Sequence, residues 1–190
     1  VFESFMAQVP ESVLVVLDEA YVEYATDSHF MNGFDYVDKY PNLLVSRTFS
    51  KAYGLASLRV GYAIASPDVT NILNRVRQPF NVNSFALAAA AASLQDDEFV
   101  AQSRALNSTG MAQLEAGLSA LGLNYIPSKA NFIAFDTGRP CLPVFNALLQ
   151  QGVIVRPVAN YGMPSYLRVS IGLESENARF LVALKQVLEK

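Results

Sequence analysis

The sequence has few of the residues on which several common chemistries depend. Its 190 residues include one cysteine, Cys141, and one histidine, His29. A single cysteine excludes an internal disulfide and fits a reducing compartment, and the two residues leave no His/Cys cluster for zinc. A Ser-His-Asp triad would have to use His29, and no G-x-S-x-G nucleophile motif is present. We therefore expect neither a metal site nor a serine hydrolase, and we interpret Cys141 as structural and His29 as part of a surface loop.

Positive charge and long apolar runs are also scarce. The formal net charge of −3 gives no basic footprint for nucleic acid, and no apolar run approaches the length of a membrane span. The start of the chain has neither an initiator Met nor a charged region, which predicts the tail of a helix in a longer chain rather than a signal peptide. Hydrophobic residues make up 52% of the sequence and charged residues 16%, so we expect a packed core.

The apolar runs of the first half end in polar clusters, which predicts an open α/β sheet with its site at the carboxyl ends of the strands. Strands are predicted at residues 12–17, 42–46 and 59–65, the first of them buried on both faces. Helices are predicted from residue 67, over 83–94 and from 96 to about 121. The second half has predicted strands at 131–135, 153–155 and 166–171 and helices at 142–151 and from about 175. We therefore predict part of a large domain at 1–95, a connecting helix at 96–122 and a small α+β domain at 123–190.

A lysine lies just past the second predicted strand, in a loop of small and hydroxyl residues. Most lysines are solvated, but Lys51 is surrounded by almost uncharged sequence. An amine that attacks an aldehyde must be partly desolvated, so that its pKa falls, and this loop suits that chemistry. Thr48, Ser50 and Arg59 supply two hydroxyls and a guanidinium fork for a phosphate.

A carboxylate follows the first predicted strand, in the sequence Asp18-Glu19-Ala20-Tyr21. A carboxylate in such a place needs a partner, and a protonated pyridine nitrogen is one. Tyr21 could hydrogen-bond the phenolic oxygen of the same ring. Equally, Asp18 could cap a following helix while Tyr21 packs in the core.

Together, D-E-A-Y at 18–21 and T-F-S-K-A-Y-G-L-A-S-L-R-V-G at 48–61 closely resemble fold-type I pyridoxal-phosphate aminotransferases. Within them, the sequence most resembles the histidinol-phosphate aminotransferase family of the class II group. The resemblance covers essentially the whole chain and includes V-I-V-R-P at 153–157 and Y-L-R-V-S-I-G at 166–172.

The resemblance implies a role for each matching residue. Lys51 would form the internal aldimine with pyridoxal 5'-phosphate and move the proton from substrate Cα to cofactor C4′. Asp18 would pair with the pyridine nitrogen and Tyr21 with the phenolic oxygen. The residues implied to hold the cofactor phosphate are Thr48, Ser50 and Arg59, and those implied to bind substrate are Arg168, Arg156 and Asn131. Structural alternatives stay open for the last three: an edge-strand salt bridge for Arg168, a solvated charge for Arg156 and a turn for Asn131.

The implied reaction is transamination of L-histidinol phosphate with 2-oxoglutarate or glutamate in histidine biosynthesis, by a cytoplasmic homodimer. The family's N-terminal half has no counterpart in the chain, so we expect these 190 residues alone to be poorly active. The alternatives are another fold-type I enzyme, either an amino-acid aminotransferase or a decarboxylase of a phosphorylated amino acid, and a pyridoxal-binding regulatory domain.

Overall fold

The computed structural model describes residues 1–26 and 30–189, which form two compact units, Val1–Val100 and Ala101–Lys190. His29, which we predicted in a surface loop, lies outside the described residues.

The first unit contains a three-stranded mixed sheet. Its strands are β1 (Val15–Asp18), β2 (Leu43–Thr48) and β3 (Gly61–Ala65), in the order β1-β2-β3. β1 runs parallel to β2, with Asp18 opposite Ser46, and β3 runs antiparallel to β2, with Thr48 opposite Gly61. A Cβ on Gly61 would lie 2.7 Å from the backbone oxygen of Arg47, so this close pairing requires glycine. The predicted α/β class is therefore confirmed.

The prediction that the first strand is buried on both faces is wrong. β1 begins at Val15, and its residues alternate between half-buried and exposed, with Val16 58% exposed. Val13 and Leu14, which precede the strand, are also exposed. β1 lies at an edge of the sheet, and only one of its faces packs against other described residues, those of the core around Leu43 and Val45. A continuous apolar run does not show by itself which of its faces is covered.

Two helices of the first unit begin directly after residues whose side chains cap them. α1 (Phe2–Met6) is followed by α2 (Pro67–Val76), where Ser66 caps the N-terminus and Pro67 takes the first helical position. α3 (Ser84–Ser93) begins after Asn83, whose side chain accepts a 2.9 Å hydrogen bond from the backbone of Ala86. Short 3-10 helices lie at Val22–Tyr24, Gly33–Tyr36 and Ala56–Leu58. The long α4 (Asp97–Ala120) has acidic residues in its first turn, and the boundary between the units falls within it.

The second unit is an antiparallel sheet with helices packed on it. Its strands are β4 (Tyr125–Ile126), β5 (Phe132–Asp136), β6 (Arg156–Pro157) and β7 (Tyr166–Ser170), in the order β4-β5-β7-β6. α5 (Cys141–Gln150) and α6 (Glu174–Leu188) complete the unit. The core includes Phe135, Leu167 and Leu184, and Cys141 is buried in it, 2% exposed.

The predicted strand at 153–155 is wrong, because the chain pairs with β7 only from Arg156. Gly152 takes a left-handed backbone with φ 72°, and the N–H of Val153 donates to the carbonyl of Leu148, as at a helix end. Val153 and Val155 are buried in the core while Ile154 is 81% exposed. The apolar alternation therefore comes from packing in the core of the second unit and not from strand pairing.

Candidate active site

The carboxyl ends of β1 and β2 bring the predicted ring-binding and lysine residues to one edge of the sheet. Asp18 ends β1 and lies opposite Ser46, whose hydroxyl is 3.5 Å from Asp18 Oδ1. The same Oδ1 accepts a 3.1 Å hydrogen bond from the backbone N–H of Ala20, which makes a local turn. Asp18 is exposed and forms no salt bridge with any described residue, so only neutral donors contact its carboxylate.

Lys51 lies three residues beyond β2 and is half-buried. Its Nζ is 5.2 Å from the centre of the Tyr21 ring, so the chain following β1 and the chain following β2 meet there. Within residues 1–26 and 30–189, Lys51 has no carboxylate partner. The backbone of the loop is held by hydrogen bonds from Ser50 N to Thr48 Oγ1 at 3.1 Å, from Gly54 N to Lys51 O at 2.9 Å and from Leu55 N to Phe49 O at 2.9 Å. The described residues thus place this amine beside an aromatic ring and away from any carboxylate.

Arg59 lies close to the same loop. Its Nη1 donates to the carbonyl of Ala56 at 2.8 Å and lies 3.5 Å from Ser50 Oγ. It forms no salt bridge in the described part of the chain. Thr48, Ser50 and Arg59 therefore form a small group of hydroxyl and guanidinium donors, and no described carboxylate forms a salt bridge with this group.

An aromatic cluster supports the lysine loop from within. Phe49 is buried, and its ring centre is 5.0 Å from that of Tyr53 and 5.5 Å from that of Tyr62. Burial raises the pKa of the Tyr53 phenol above its ordinary value of 10.0, and the nearby Glu23 carboxylate adds to the rise. The phenol therefore stays neutral at neutral pH, and the lysine loop packs on uncharged rings.

Sequence reasoning missed a buried ion pair beside this site. Glu19 is 5% exposed, and its Oε2 accepts hydrogen bonds from Arg47 Nε at 2.9 Å and Arg47 Nη2 at 2.7 Å. These residues are the direct chain neighbours of Asp18 and Thr48. Side chains alternate between the two faces of a sheet along a strand, so the sequence could have indicated that Glu19 and Arg47 face away from Asp18 and Thr48.

The second unit holds the predicted substrate residues. Arg168 on β7 lies directly opposite Arg156 on β6, and its guanidinium lies 4.6 Å from the centre of the Phe132 ring. Like charges directly opposite on neighbouring strands repel each other, and an anion bound between them would remove that cost. Asn131 comes immediately before β5, is half-buried, and its carbonyl accepts a 2.9 Å hydrogen bond from Ile171 N. The structure thus pairs the two arginines and puts Asn131 at a strand start.

The described residues hold neither a cluster of metal ligands nor a helix that could span a membrane. None of their His, Cys, Asp and Glu side chains form a group of three or more that could hold a metal ion. None of their helices combines the length and apolar character that a membrane span needs.

Comparison with known proteins relates this geometry to one family. Residues 4–184 match the family model for class I and II aminotransferases. The chain is 68% identical over 186 residues to histidinol-phosphate aminotransferase 2 of Pseudomonas aeruginosa, which covers 98% of the chain and 50% of that protein. It is 65% identical over 188 residues to histidinol-phosphate aminotransferase 2 of Pseudomonas fluorescens, covering 99% of the chain and 51% of that protein. The chain thus spans about half the length of the curated relatives it matches.

A solved structure agrees with these sequence matches. The histidinol-phosphate aminotransferase of Sinorhizobium meliloti, in complex with pyridoxal-5'-phosphate, superposes with a TM-score of 0.88 at 29% identity. The match covers 98% of this chain and 53% of that one. The two chains therefore share a fold over nearly all of the residues present here.

Proposed function

The chain belongs to the class I and II aminotransferase family, and from that premise we propose that it carries the cofactor-anchoring part of a histidinol-phosphate aminotransferase. The reaction is transamination of L-histidinol phosphate with 2-oxoglutarate or glutamate, and the cofactor is pyridoxal 5'-phosphate. The observation that carries the proposal is Lys51, which has no carboxylate partner among the described residues and lies beside Tyr21 and the hydroxyl and guanidinium donors near its loop. The names of relatives at 65% and 68% identity support this substrate.

The residues of the first unit fit the three recognisable parts of this cofactor. Arg59, Ser50 and Thr48 offer charge-assisted and hydroxyl hydrogen bonds to its phosphate. Asp18, which only neutral groups contact, pairs with its ring nitrogen, while Tyr21 hydrogen-bonds its phenolic oxygen. When bound, the cofactor supplies an electron sink for the charge that develops at the substrate Cα.

Lys51 has two tasks in this proposal. Its amine would hold the cofactor covalently when the cofactor is bound. Once freed by the substrate amine, the same amine would move a proton from the substrate Cα to C4′ of the cofactor, acting as general base and then as general acid. Lys51 is half-buried, and its Nζ lies beside the Tyr21 ring, so the amine is partly shielded from water.

The second unit recognises the anionic group of the substrate. Arg168 and Arg156 bind the phosphate of histidinol phosphate or a carboxylate of glutamate, because their paired guanidinium groups suit either oxyanion. The Phe132 ring supports the Arg168 guanidinium from one side. Asn131 offers an amide next to the substrate.

Spectroscopy of the complete gene product that contains this chain tests the proposal. We expect visible absorption from the lysine-bound cofactor, loss of that band on addition of L-histidinol phosphate, and glutamate production when 2-oxoglutarate follows. The Lys51→Ala variant is the control, and its preparation should lack the band.

Three results would contradict the proposed function. If histidinol phosphate leaves the band unchanged while another amine removes it, the protein is a different fold-type I enzyme. If a phosphorylated amino acid releases carbon dioxide and no glutamate forms, the protein is a decarboxylase. A protein that binds the cofactor and turns over none of these amines would be a regulatory domain.

We also propose that the complete protein is a cytoplasmic homodimer. Large apolar side chains on the first unit support the proposal of a partner surface, since Val76 is 74%, Phe85 82% and Phe80 97% exposed. Sedimentation of the complete protein should give twice the monomer mass, and a monomer at micromolar concentration would contradict it. Cell fractionation tests the location.

A further inference from the structure

The residues at the carboxyl ends of β1 and β2 divide between two faces of the sheet. Asp18 and Ser46 are register partners whose side chains lie 3.5 Å apart, so they share one face. Thr48 has the same parity along β2 and belongs to that face. Glu19 and Arg47 have the opposite parity, and their side chains meet on the other face. Each of these two residues is therefore the backbone neighbour of a proposed cofactor ligand while facing away from it.

The pair on the far face is fully engaged. Glu19 Oε2 accepts two hydrogen bonds from Arg47, and Glu19 Oε1 accepts a third, at 2.6 Å, from the backbone N–H of Gly33. Arg47 Nη2 also donates to Asn32 Oδ1 at 2.6 Å, and its guanidinium lies 3.7 Å from the centre of the Phe34 ring. This arrangement, which we term the Glu19–Arg47 clamp, holds the two strand ends and the 32–34 segment together.

The backbone around the clamp has little freedom to move. Glu19 N donates to Ser46 O at 2.9 Å, which extends the β1–β2 ladder beyond the last residue of β1. Arg47 is paired with Tyr62 of β3, and a Cβ on Gly33 would lie 2.8 Å from Glu19 Oε1 and 2.7 Å from Leu17 Cδ2. The clamp is therefore enclosed by backbone on several sides.

Stability alone gives a weak reason for such a pair, because an apolar pair of similar volume is often as stable as a buried ion pair. Position gives a stronger one, since a bidentate arginine–carboxylate contact fixes both distance and angle. We propose that Glu19 and Arg47 are positioning residues. They set the distance from Asp18, at the end of β1, to Thr48, at the end of β2, and to Lys51 in the loop that follows. The inference rests on the proposed function, because it concerns how those ligands reach one cofactor.

The test compares three variants of the complete cofactor-loaded protein: Glu19→Gln, Arg47→Lys and Gly33→Ala. The first two keep size but weaken the bidentate contact, and the third crowds Glu19 without changing any charge. The matched control is Lys39→Gln, which breaks the exposed Lys39–Glu3 ion pair of the same unit. Each protein is measured for kcat, for KM of the amino donor, and for the pH midpoint of the visible band.

We expect kcat to fall about tenfold or more in the clamp variants, because the displaced Asp18, Thr48 and Lys51 act in the chemical step. We expect the KM of the amino donor to change less than about twofold, because these residues do not bind its anionic group. We also expect the pH midpoint of the band to rise by about half a unit or more. A displaced Asp18 no longer keeps the ring nitrogen protonated, and loss of that positive charge makes the Lys51 nitrogen easier to protonate. Lys39→Gln should match the unaltered protein in all three quantities.

Clamp variants with a lower thermal midpoint but an unchanged kcat and band midpoint would overturn the inference, leaving a purely structural pair. If Glu19→Gln fails to fold, Arg47→Lys and Gly33→Ala decide between the same two outcomes. A complete protein without any lysine-dependent band would instead overturn the proposed function, and the inference with it.

Discussion

Arg59 takes a backbone conformation that usually belongs to glycine. Its φ is 53° and its ψ 50°, in the left-handed region, at the end of the 3-10 helix Ala56–Leu58. A non-glycine residue is disfavoured there by about 1 kcal/mol, because its Cβ crowds the carbonyl oxygen. The unfavourable backbone brings the guanidinium to Ser50 and the lysine loop. We interpret this as local strain that serves a binding site.

The strain at Arg59 predicts opposite effects of one substitution on stability and on cofactor affinity. Arg59→Gly should leave the thermal midpoint of the cofactor-free protein unchanged or slightly higher, because glycine adopts this conformation without cost. The Kd for pyridoxal phosphate should rise about tenfold to hundredfold, the usual consequence of losing a charge-assisted hydrogen bond. Fluorescence titration and thermal unfolding measure the two effects. Arg59→Lys keeps the charge but loses the forked guanidinium, so its affinity for pyridoxal phosphate should lie between those of the unaltered protein and Arg59→Gly. An unchanged Kd in Arg59→Gly would contradict the phosphate role.

Sequence alone could identify single chemical residues but not their contacts. Lys51 and Asp18 stand out because each follows an apolar run and carries a charge there, and their roles stay predictions. Strand alternation could indicate that Glu19 and Arg47 face away from Asp18 and Thr48, but their contact with each other depends on the register of two strands separated by a long connection. The same limit applies to Asn32 and Phe34, which reach Arg47 through tertiary folding.

Helix α4 packs against the chain between β7 and α6 through a glycine. A Cβ on Gly110 would lie 2.4 Å from Ile171 Cγ2 and 2.9 Å from Asn177 Nδ2. Asn177 is 2% exposed and binds Gln113 Oε1 and both backbone groups of Gly172. Ile171 has a stiff β-branched side chain, and the Asn177 amide is held by three hydrogen bonds, so neither can easily move away from an added Cβ.

The packing reverses the usual effect of a helical glycine substitution. Glycine to alanine inside a helix normally stabilises by about 1 kcal/mol, but Gly110→Ala should destabilise by about 1–3 kcal/mol through overpacking. Ser108→Ala is the matched control on the exposed side of the same helix, and we expect it to be neutral or slightly stabilising. Urea unfolding of both variants measures the difference, and a Gly110→Ala protein as stable as the control would contradict the close approach.

At the scale of elements, two helix starts were predicted better than the apolar strands. The predicted helices from residue 67 and over 83–94 are confirmed, and their caps, Ser66 and Asn83, act through atoms only a few residues away. The runs at 12–17 and 153–155 misled for a common reason. Whether an apolar residue is buried, and by what, depends on tertiary packing and not on the run itself. Val16 is exposed although it lies in a strand, and Val153 is buried although it lies in none.

The whole molecule has exposed features that the isolated chain does not explain. Phe80 is 97% exposed and has a left-handed backbone with φ 55°, and Val76 and Phe85 are exposed nearby in sequence. The curated relatives are about twice as long as this chain. An exposed aromatic in a strained conformation is costly unless another surface uses it. We interpret the 76–85 segment as a surface that the complete protein covers.

We therefore predict that activity depends on chain outside these 190 residues. The chain alone should transaminate histidinol phosphate at less than about 1% of the rate of a chimera that joins it to the first half of the Pseudomonas aeruginosa relative, because Lys51 alone neither orients a cofactor nor excludes water. Glutamate formation under equal cofactor loading measures both rates, and the chimera with Lys51→Ala sets the background. An isolated chain within about twofold of the chimera would show that its own residues complete the site, and would require the exposed 76–85 segment to have another purpose.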